Sequence, residues 1–245
     1  MFNKLKKILF YPFIPFFDKK SQATKKILHL DNVKDKFTKI YQSNYWNDNE
    51  SVSGSGSTVE VTKNLRSQFP FLLKKFNIET ILDAPCGDFN WMKFFLKENK
   101  LKNYIGADLV SEIIKKNNEQ FKNDTINFIE LDITKDLLPT SDLLICRDCL
   151  IHFSYKDIQK FLQNFNNSSI KYLLTTNFYF DKNADYITKD IVTGDHRYTD
   201  LNSVPINFPK PLFSIKDYSE NNIGTAYMDL FDKSQINNII IPKIL

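Results

Sequence analysis

The sequence predicts an α/β protein, a doubly wound and mostly parallel sheet with helices on both faces. Three observations predict it. Between residues 80 and 176, short runs rich in Ile and Leu alternate with longer stretches of helical period. Three consecutive runs end on an acid, at Asp83, Asp108 and Asp132. Glycine is scarce, 6 in 245 residues, yet Gly87 stands where the first run turns towards its helix.

The elements follow in order. Residues 20–43 read as a polar helical lead-in. Residues 47–58, NDNESVSGSGST, are a loop rich in Ser, Gly and Asn. Residues 59–77 read as a helix, with apolar positions at Val61, Leu65, Phe69, Leu72 and Leu73. A strand is then predicted at Thr80–Ala84 and a helix at Trp91–Asn99. The next pair is a strand at Asn103–Asp108 and a helix at Ser111–Lys122. Strands at Ile126–Leu131 and Asp142–Cys146 follow, then a helix from about Tyr155 to Phe165 and a fifth strand at Ile170–Thr176. A long polar loop spans 178–211, and a loop of that length is expected to be functional or disordered. Strands return over 212–232, with Thr225–Phe231 in an edge hairpin.

Composition narrows the function classes. The hydrophobic fraction of 42% and charged fraction of 25% are those of a soluble globular protein. A net charge of +4 does not mark a nucleic-acid binder. The three cysteines, Cys86, Cys146 and Cys149, form no disulfide framework, so a cytoplasmic location is expected. The C-x-x-C of Cys146 and Cys149 has no second ligand pair, and no metal is expected. The aromatic run within residues 1–20 is flanked by lysines and is too short to span a bilayer, which suits a membrane surface or a partner protein. All but three of the 33 basic residues are Lys. Arg66, Arg147 and Arg197 are therefore expected where a planar fork matters.

In a doubly wound sheet, ligands bind at the carboxyl ends of the strands, near the point where strand order reverses. Gly87 allows close backbone approach there. Two of the three glycines of a dinucleotide fingerprint are missing, which disfavours a pyrophosphate. Asp83 and Asp88 are available to an ammonium group. Asp108 lies 21 residues beyond Gly87, the spacing of an acid that accepts hydrogen bonds from a ribose diol. Asp132, followed by Ile133, suits an adenine amino group beside an apolar wall. Each acid alone also reads as a helix N-cap. Together the three describe a nucleoside that carries an amine and no phosphate.

On these residues the chain resembles a family. ILDAPCGDFNWM at 81–92 is similar to the first motif of class I S-adenosylmethionine-dependent methyltransferases, and GADLV at 106–110 and LDIT at 131–134 fall where the second and third fall. The resemblance covers about residues 60–177. It implies a Rossmann-like fold with a seven-stranded sheet, and S-adenosylmethionine as cofactor. It places the cofactor against Asp83, Ala84, Pro85, Gly87, Asp88, Asp108, Leu109, Asp132, Ile133 and Arg147. A narrower resemblance, carried by SVSGSGST, DAPCGDFNWM, RDCLIHF and DIVTG…R…L…P…FP, is to a bacterial methyltransferase subgroup, some members of which accompany capsule polysaccharide functions, including methyl phosphoramidate modification. In that light Trp46, Ser55, Gly56 and Ser57 are expected in a lid over the methionine end of the cofactor. Residues 1–58 then form an N-terminal extension and cofactor lid. Residues 59–245 form the methyltransferase domain, with an acceptor-side lid inserted at about 178–211.

The fourth strand ends LLICRDCLIHF, without the Asn/Asp-Pro-Pro-Tyr type motif of enzymes that methylate nucleic-acid amines. No nucleic-acid partner is expected; the acceptor is expected to be a small molecule or carbohydrate. A hydroxyl acceptor needs a base, for which His152 is the candidate, oriented by Asp148 or replaced by it. A phosphate-type oxygen would need only charge clamps, for which Arg147 and Arg197 are the candidates, with His196 beside them. The retention of Arg favours the anionic acceptor at this stage. A nucleotide-dependent oxidoreductase and a non-catalytic binding module are the competing readings.

Overall fold

The computed structural model describes residues 26–181 and 189–242. The stretch at 1–20, expected at a membrane or partner surface, lies outside the described residues. Helix α1 (Val33–Gln42) starts on Asn32, whose side chain accepts from Lys34 N–H. Of the lead-in expected at 20–43, residues 26–28 are helical as well, and residues 20–25 lie outside the described residues. A single 3₁₀ turn (Ser55–Ser57) interrupts the Ser/Gly loop. Helix α2 (Lys63–Phe76) ends on Asn77 in the left-handed region, φ 52°.

The sheet elements are β1 (Thr80–Asp83), β2 (Asn103–Asp108), β3 (Ile126–Glu130), β4 (Leu143–Cys146), β5 (Tyr172–Phe180), β6 (Phe213–Glu220) and β7 (Gly224–Asp232). Between them lie α3 (Met92–Glu98), α4 (Ser111–Phe121) and α5 (Tyr155–Asn167), with the one-turn α6 (Lys233–Ile236) after β7. The seven strands run in the order β3-β2-β1-β4-β5-β7-β6. Strands β1 to β5 pair in parallel, and β7 runs antiparallel between β5 and β6. Strand order reverses between β1 and β4, which opens a crevice at their carboxyl ends. The Rossmann-like expectation of a seven-stranded, mostly parallel sheet is met.

Both faces of the sheet are covered. Ile81, Tyr104, Leu143 and Ile145 face Leu65, Phe69 and Leu72 of α2 and Met92 and Phe95 of α3. Leu82, Ala107, Leu144 and Leu173 face Ile158, Phe161, Leu162 and Phe165 of α5. Helix α5 forms because these apolar residues recur at helical spacing and Ser154 caps its first turn by accepting from Asp157 N–H at 3.2 Å.

Two boundaries differ from expectation. Strand β5 runs on to Phe180, because β7 gives it a full antiparallel partner as far as Phe180 opposite Gly224. The loop expected as a free lid is also partly core. Thr199 and Leu201 are fully buried, Ile206 and Phe208 nearly so, and Phe208 packs edge-on against Phe231 at 4.9 Å.

Phe161 is fully buried and Phe71, on α2, is 58% exposed. Phe161→Ala is expected to cost about 3–5 kcal/mol, whereas Phe71→Ala stays within about 1 kcal/mol. Urea unfolding followed by circular dichroism measures both.

Candidate active site

The crevice contains a cavity of about 430 Å³. Its floor is built by strand ends: Ala84, Pro85 and Gly87 after β1, Asp108 and Leu109 at β2, Asp132 and Ile133 after β3, and Asp148 and Cys149 after β4. The helix α1 supplies one wall through Val33, Phe37, Ile40 and Tyr41. The Ser/Gly loop supplies another through Ser53, Gly54, Ser55 and Gly56, with Trp46 alongside. The far end is closed by His152, His196, Tyr198 and Tyr218.

Asp108 ends β2 in the cavity floor. One oxygen accepts from Val110 N–H at 2.9 Å and the other from Gly87 N–H at 3.2 Å. Burial lifts its pKa to about 6, against the pull of those amides. Asp132 accepts from the Thr134 amide at 3.0 Å and pairs with Lys135 at 3.2 Å. Apolar Ile133, Leu131, Val110 and Ile113 surround it in the cavity wall. This donor and acceptor set fits a nucleoside: a carboxylate for a diol, and an acid beside an apolar wall for an amino-purine. The residues Asp108, Leu109, Asp132 and Ile133 are those that would hold it.

Two acids expected to meet an ammonium group are turned away from the cavity. Asp83 is buried on the α2 side of the sheet and accepts from Tyr104 O–H at 2.7 Å. Burial raises its pKa to about 7, opposed by that hydrogen bond and by the Arg147 charge. Asp88 instead fastens the Ser/Gly loop. It accepts from Ser51 Oγ at 2.9 Å, Val52 N–H at 3.0 Å and Ser53 Oγ at 3.1 Å, while its own N–H donates to Ser53 Oγ at 3.1 Å. Gly87 makes room for this clasp. Its φ is +54°, and a Cβ there would lie 2.2 Å from Ser53 Oγ. Ser57 lies outside the cavity lining, and its carbonyl accepts from Asn90 Nδ2 at 3.1 Å.

The arginines also depart from expectation. Arg147 Nε and Nη2 grip the Asp217 carboxylate at 2.8 and 3.1 Å, Nη2 donates to the Gly56 carbonyl at 2.8 Å, and Nη1 pairs with Asp148 at 3.2 Å. Burial alone would lower its pKa, but Asp217 and Asp148 outweigh this and hold it above the usual arginine range. Arg197 is buried to 2% exposure, lies 4.2 Å over the Tyr155 ring and pairs with Asp190 at 3.4 Å. Neither guanidinium lines the cavity. Their forks are spent inside the protein, so they are not placed as clamps for an anionic acceptor.

His152, the candidate base, lines the cavity. His152 Nδ1 lies 2.8 Å from the Asp195 carbonyl, which can only accept, so Nδ1 carries the proton and Nε2 is left with its lone pair. Burial pulls the His152 pKa down to about 4, against the pull of that carbonyl. The ring packs on Trp46 at 4.7 Å and faces His196 at 5.5 Å. Burial lowers His196 as well. Asp148 has left-handed backbone, φ 49°, and accepts from Tyr218 O–H at 3.0 Å. Tyr198, Tyr218 and Glu220 were not anticipated. Tyr198 follows Arg197 directly. Tyr218 lies within, and Glu220 just beyond, a slip in the β6 ladder between Lys216 and Ser219, which strand alternation does not reveal. Among the described residues no group of three His, Cys, Asp or Glu side chains is arranged to hold a metal ion.

Residues 81–168 match a family model described as a methyltransferase domain. No curated protein matches the chain in sequence. Solved structures share its fold. PigF, in a structure with SAH, is 12% identical with a TM-score of 0.59, over 89% of this chain and 70% of that one. A SAM-dependent methyltransferase of Leishmania major is 15% identical with a TM-score of 0.57, over 86% and 91%. The methyltransferase domain of bacterial CtHen1-C is 12% identical with a TM-score of 0.53, over 70% and 98%. The matched segment is a methyltransferase domain, and the sheet that carries it has the fold of these solved structures. That segment marks the chain as a methyltransferase, and the strand-end acids and apolar wall of the cavity fit S-adenosylmethionine as its cofactor. Among the described residues no helix is long and apolar enough to cross a membrane.

Two outcomes test the site. Asp108→Ala is expected to weaken S-adenosylhomocysteine binding by about 2–3 kcal/mol in titration calorimetry. For Asp83, a folded pKa raised from 3.8 to about 7 means that its stabilising contribution is present at acid pH and is lost as pH rises through 7. The stability of Asp83→Asn relative to wild type is therefore expected to improve from about pH 5 to about pH 8, read by urea unfolding.

Proposed function

We propose that the enzyme transfers a methyl group to a hydroxyl of a small molecule or carbohydrate precursor, with His152 as general base. The observation that carries this reading is the His152 tautomer. The Asp195 carbonyl fixes the proton on Nδ1, and a pKa of about 4 keeps the ring neutral at physiological pH. S-adenosylmethionine supplies an electrophilic methyl on a sulfonium. The chain's own part is to hold a hydroxyl in line and to receive its proton at His152 Nε2. Asp148, anchored by Arg147 and Tyr218, places a fixed negative charge beside that imidazole and favours the imidazolium formed on proton transfer.

Motifs shared with the capsule-associated subgroup support a carbohydrate precursor as acceptor. The phosphate- or phosphoramidate-type acceptor has less support, because its two expected clamps, Arg147 and Arg197, are themselves buried and paired with Asp217 and Asp190. The cavity side chains among the described residues include Asp108, Asp132, Asp148 and Glu220 and no Lys or Arg. A contact of residues 1–20 with a membrane surface or partner is proposed from their composition alone.

His152→Ala is expected to lower kcat by about 10²–10⁴-fold. Transfer of a tritiated methyl group from S-adenosylmethionine into the small-molecule fraction of a source-cell extract measures it. The wild-type rate is expected to stay flat through about pH 6 to 8, because the base is already free above about 4. A His152→Ala enzyme with wild-type turnover would remove the general base from the reading.

A further inference from the structure

The far end of the cavity, over β4, β5 and β6, has an unusual lining. Trp46 and Tyr198 offer aromatic surface, and His152 and His196 offer imidazoles that burial keeps neutral. Glu220, at the end of β6, faces the same space. Its side chain makes no hydrogen bond or ion pair with any described residue, although its charge is felt by His196. The residue is half-buried in the cavity wall, where its carboxylate is available to a ligand. The neighbouring acid, Asp148, is by contrast satisfied by Arg147, Thr176 and Tyr218.

We infer that this chamber takes an uncharged ring bearing at least two hydroxyl groups, one delivered to His152 Nε2 for methylation and another donating to the Glu220 carboxylate. The inference rests on the proposed hydroxyl chemistry and names the class of acceptor for it. Ring faces pack on Trp46 and Tyr198, as flat or pyranose rings do on aromatic side chains. An anionic group is disfavoured twice. It would meet Glu220 and Asp148 as like charges, and among the described lining residues it would find no Lys or Arg. A second hydroxyl is favoured because an ionised carboxylate accepts up to four hydrogen bonds and donates none. The proton balance is complete. The acceptor oxygen gains the methyl group, its proton passes to His152 Nε2, and the second hydroxyl keeps its own proton.

Binding to the S-adenosylhomocysteine-loaded protein tests this without turnover, so the result is separable from the role of His152 as base. Three probes are titrated: catechol, phenyl β-D-glucoside and phenyl phosphate. Quenching of tryptophan fluorescence and ligand-observed saturation-transfer NMR report binding. At least one diol probe is expected to bind about 10-fold or more tightly than phenyl phosphate, and which one binds separates a phenolic from a pyranose source. Glu220→Gln is expected to weaken that probe about 10-fold. Glu220→Lys is expected to reverse the preference towards phenyl phosphate. Both variants should bind S-adenosylhomocysteine as wild type does, which excludes misfolding. Phenyl phosphate binding wild type as tightly as the diols, the absence of binding by either diol, or indifference of the diol to Glu220→Gln would each overturn the inference. Loss of turnover in His152→Ala with no diol preference would leave the base in place and remove the acceptor class alone.

Discussion

Arg147 and Asp217 meet in the dry space at the end of β4, and three parts of the molecule converge on that contact. Asp217 brings β6, the outermost strand of the hairpin. The Gly56 carbonyl brings the Ser/Gly loop, and Asp148 brings the turn that leads to His152. A buried ion pair is weak as a source of stability, since desolvation consumes much of its Coulomb gain. Its strength is geometric. The bidentate fork fixes both distance and plane, and removing either member strands a charge at a cost of about 3–5 kcal/mol. The pair thus ties the Ser/Gly loop, the turn after β4 and β6 together at one point.

A second constraint is the clasp between Asp88 and the serines. Ser51 and Ser53 lie two residues apart and both hydroxyls reach the same carboxylate oxygen, so the loop is shaped by one acid rather than by regular structure. Gly87 beside it is needed for space as well as for its left-handed backbone. The scarce glycines at 54, 56 and 87 therefore belong to one packing problem. Gly54 accommodates Trp46, Gly56 lies against Asp148, and Gly87 lies against Ser53.

Much of this was legible in the sequence. The strand–helix alternation is local, and the acids at 108 and 132 stand at or just past strand ends, so that their place in the cavity floor follows from the sheet's polarity. The reading was weaker wherever a partner lies far along the chain. Arg147 was recognised as a residue kept for its fork, but Asp217 is 70 residues away, on a strand whose ladder slips at that point. Asp83 looked free for a ligand because its actual partner, Tyr104, reads as an ordinary strand aromatic. The loop around 199–208 looked polar by composition, yet its few apolar residues are the ones that enter the core. Local pattern reports secondary structure well, whereas the pairing of a buried charge is a property of the folded whole.

The segment by which the domain is recognised, residues 81–168, carries the floor of the cavity but not its enclosure. Val33, Phe37, Ile40 and Tyr41 stand on α1, and the loop with Trp46, Ser53 and Gly56 precedes that segment too. Tyr198, Tyr218 and Glu220 come after it. An exchange between relatives that moved only the matched stretch would deliver a sheet with its acids in register and an open trough above them. For this architecture the heritable unit of activity is longer than the unit of recognition, and change in the flanks can retarget the enzyme while its signature stays the same.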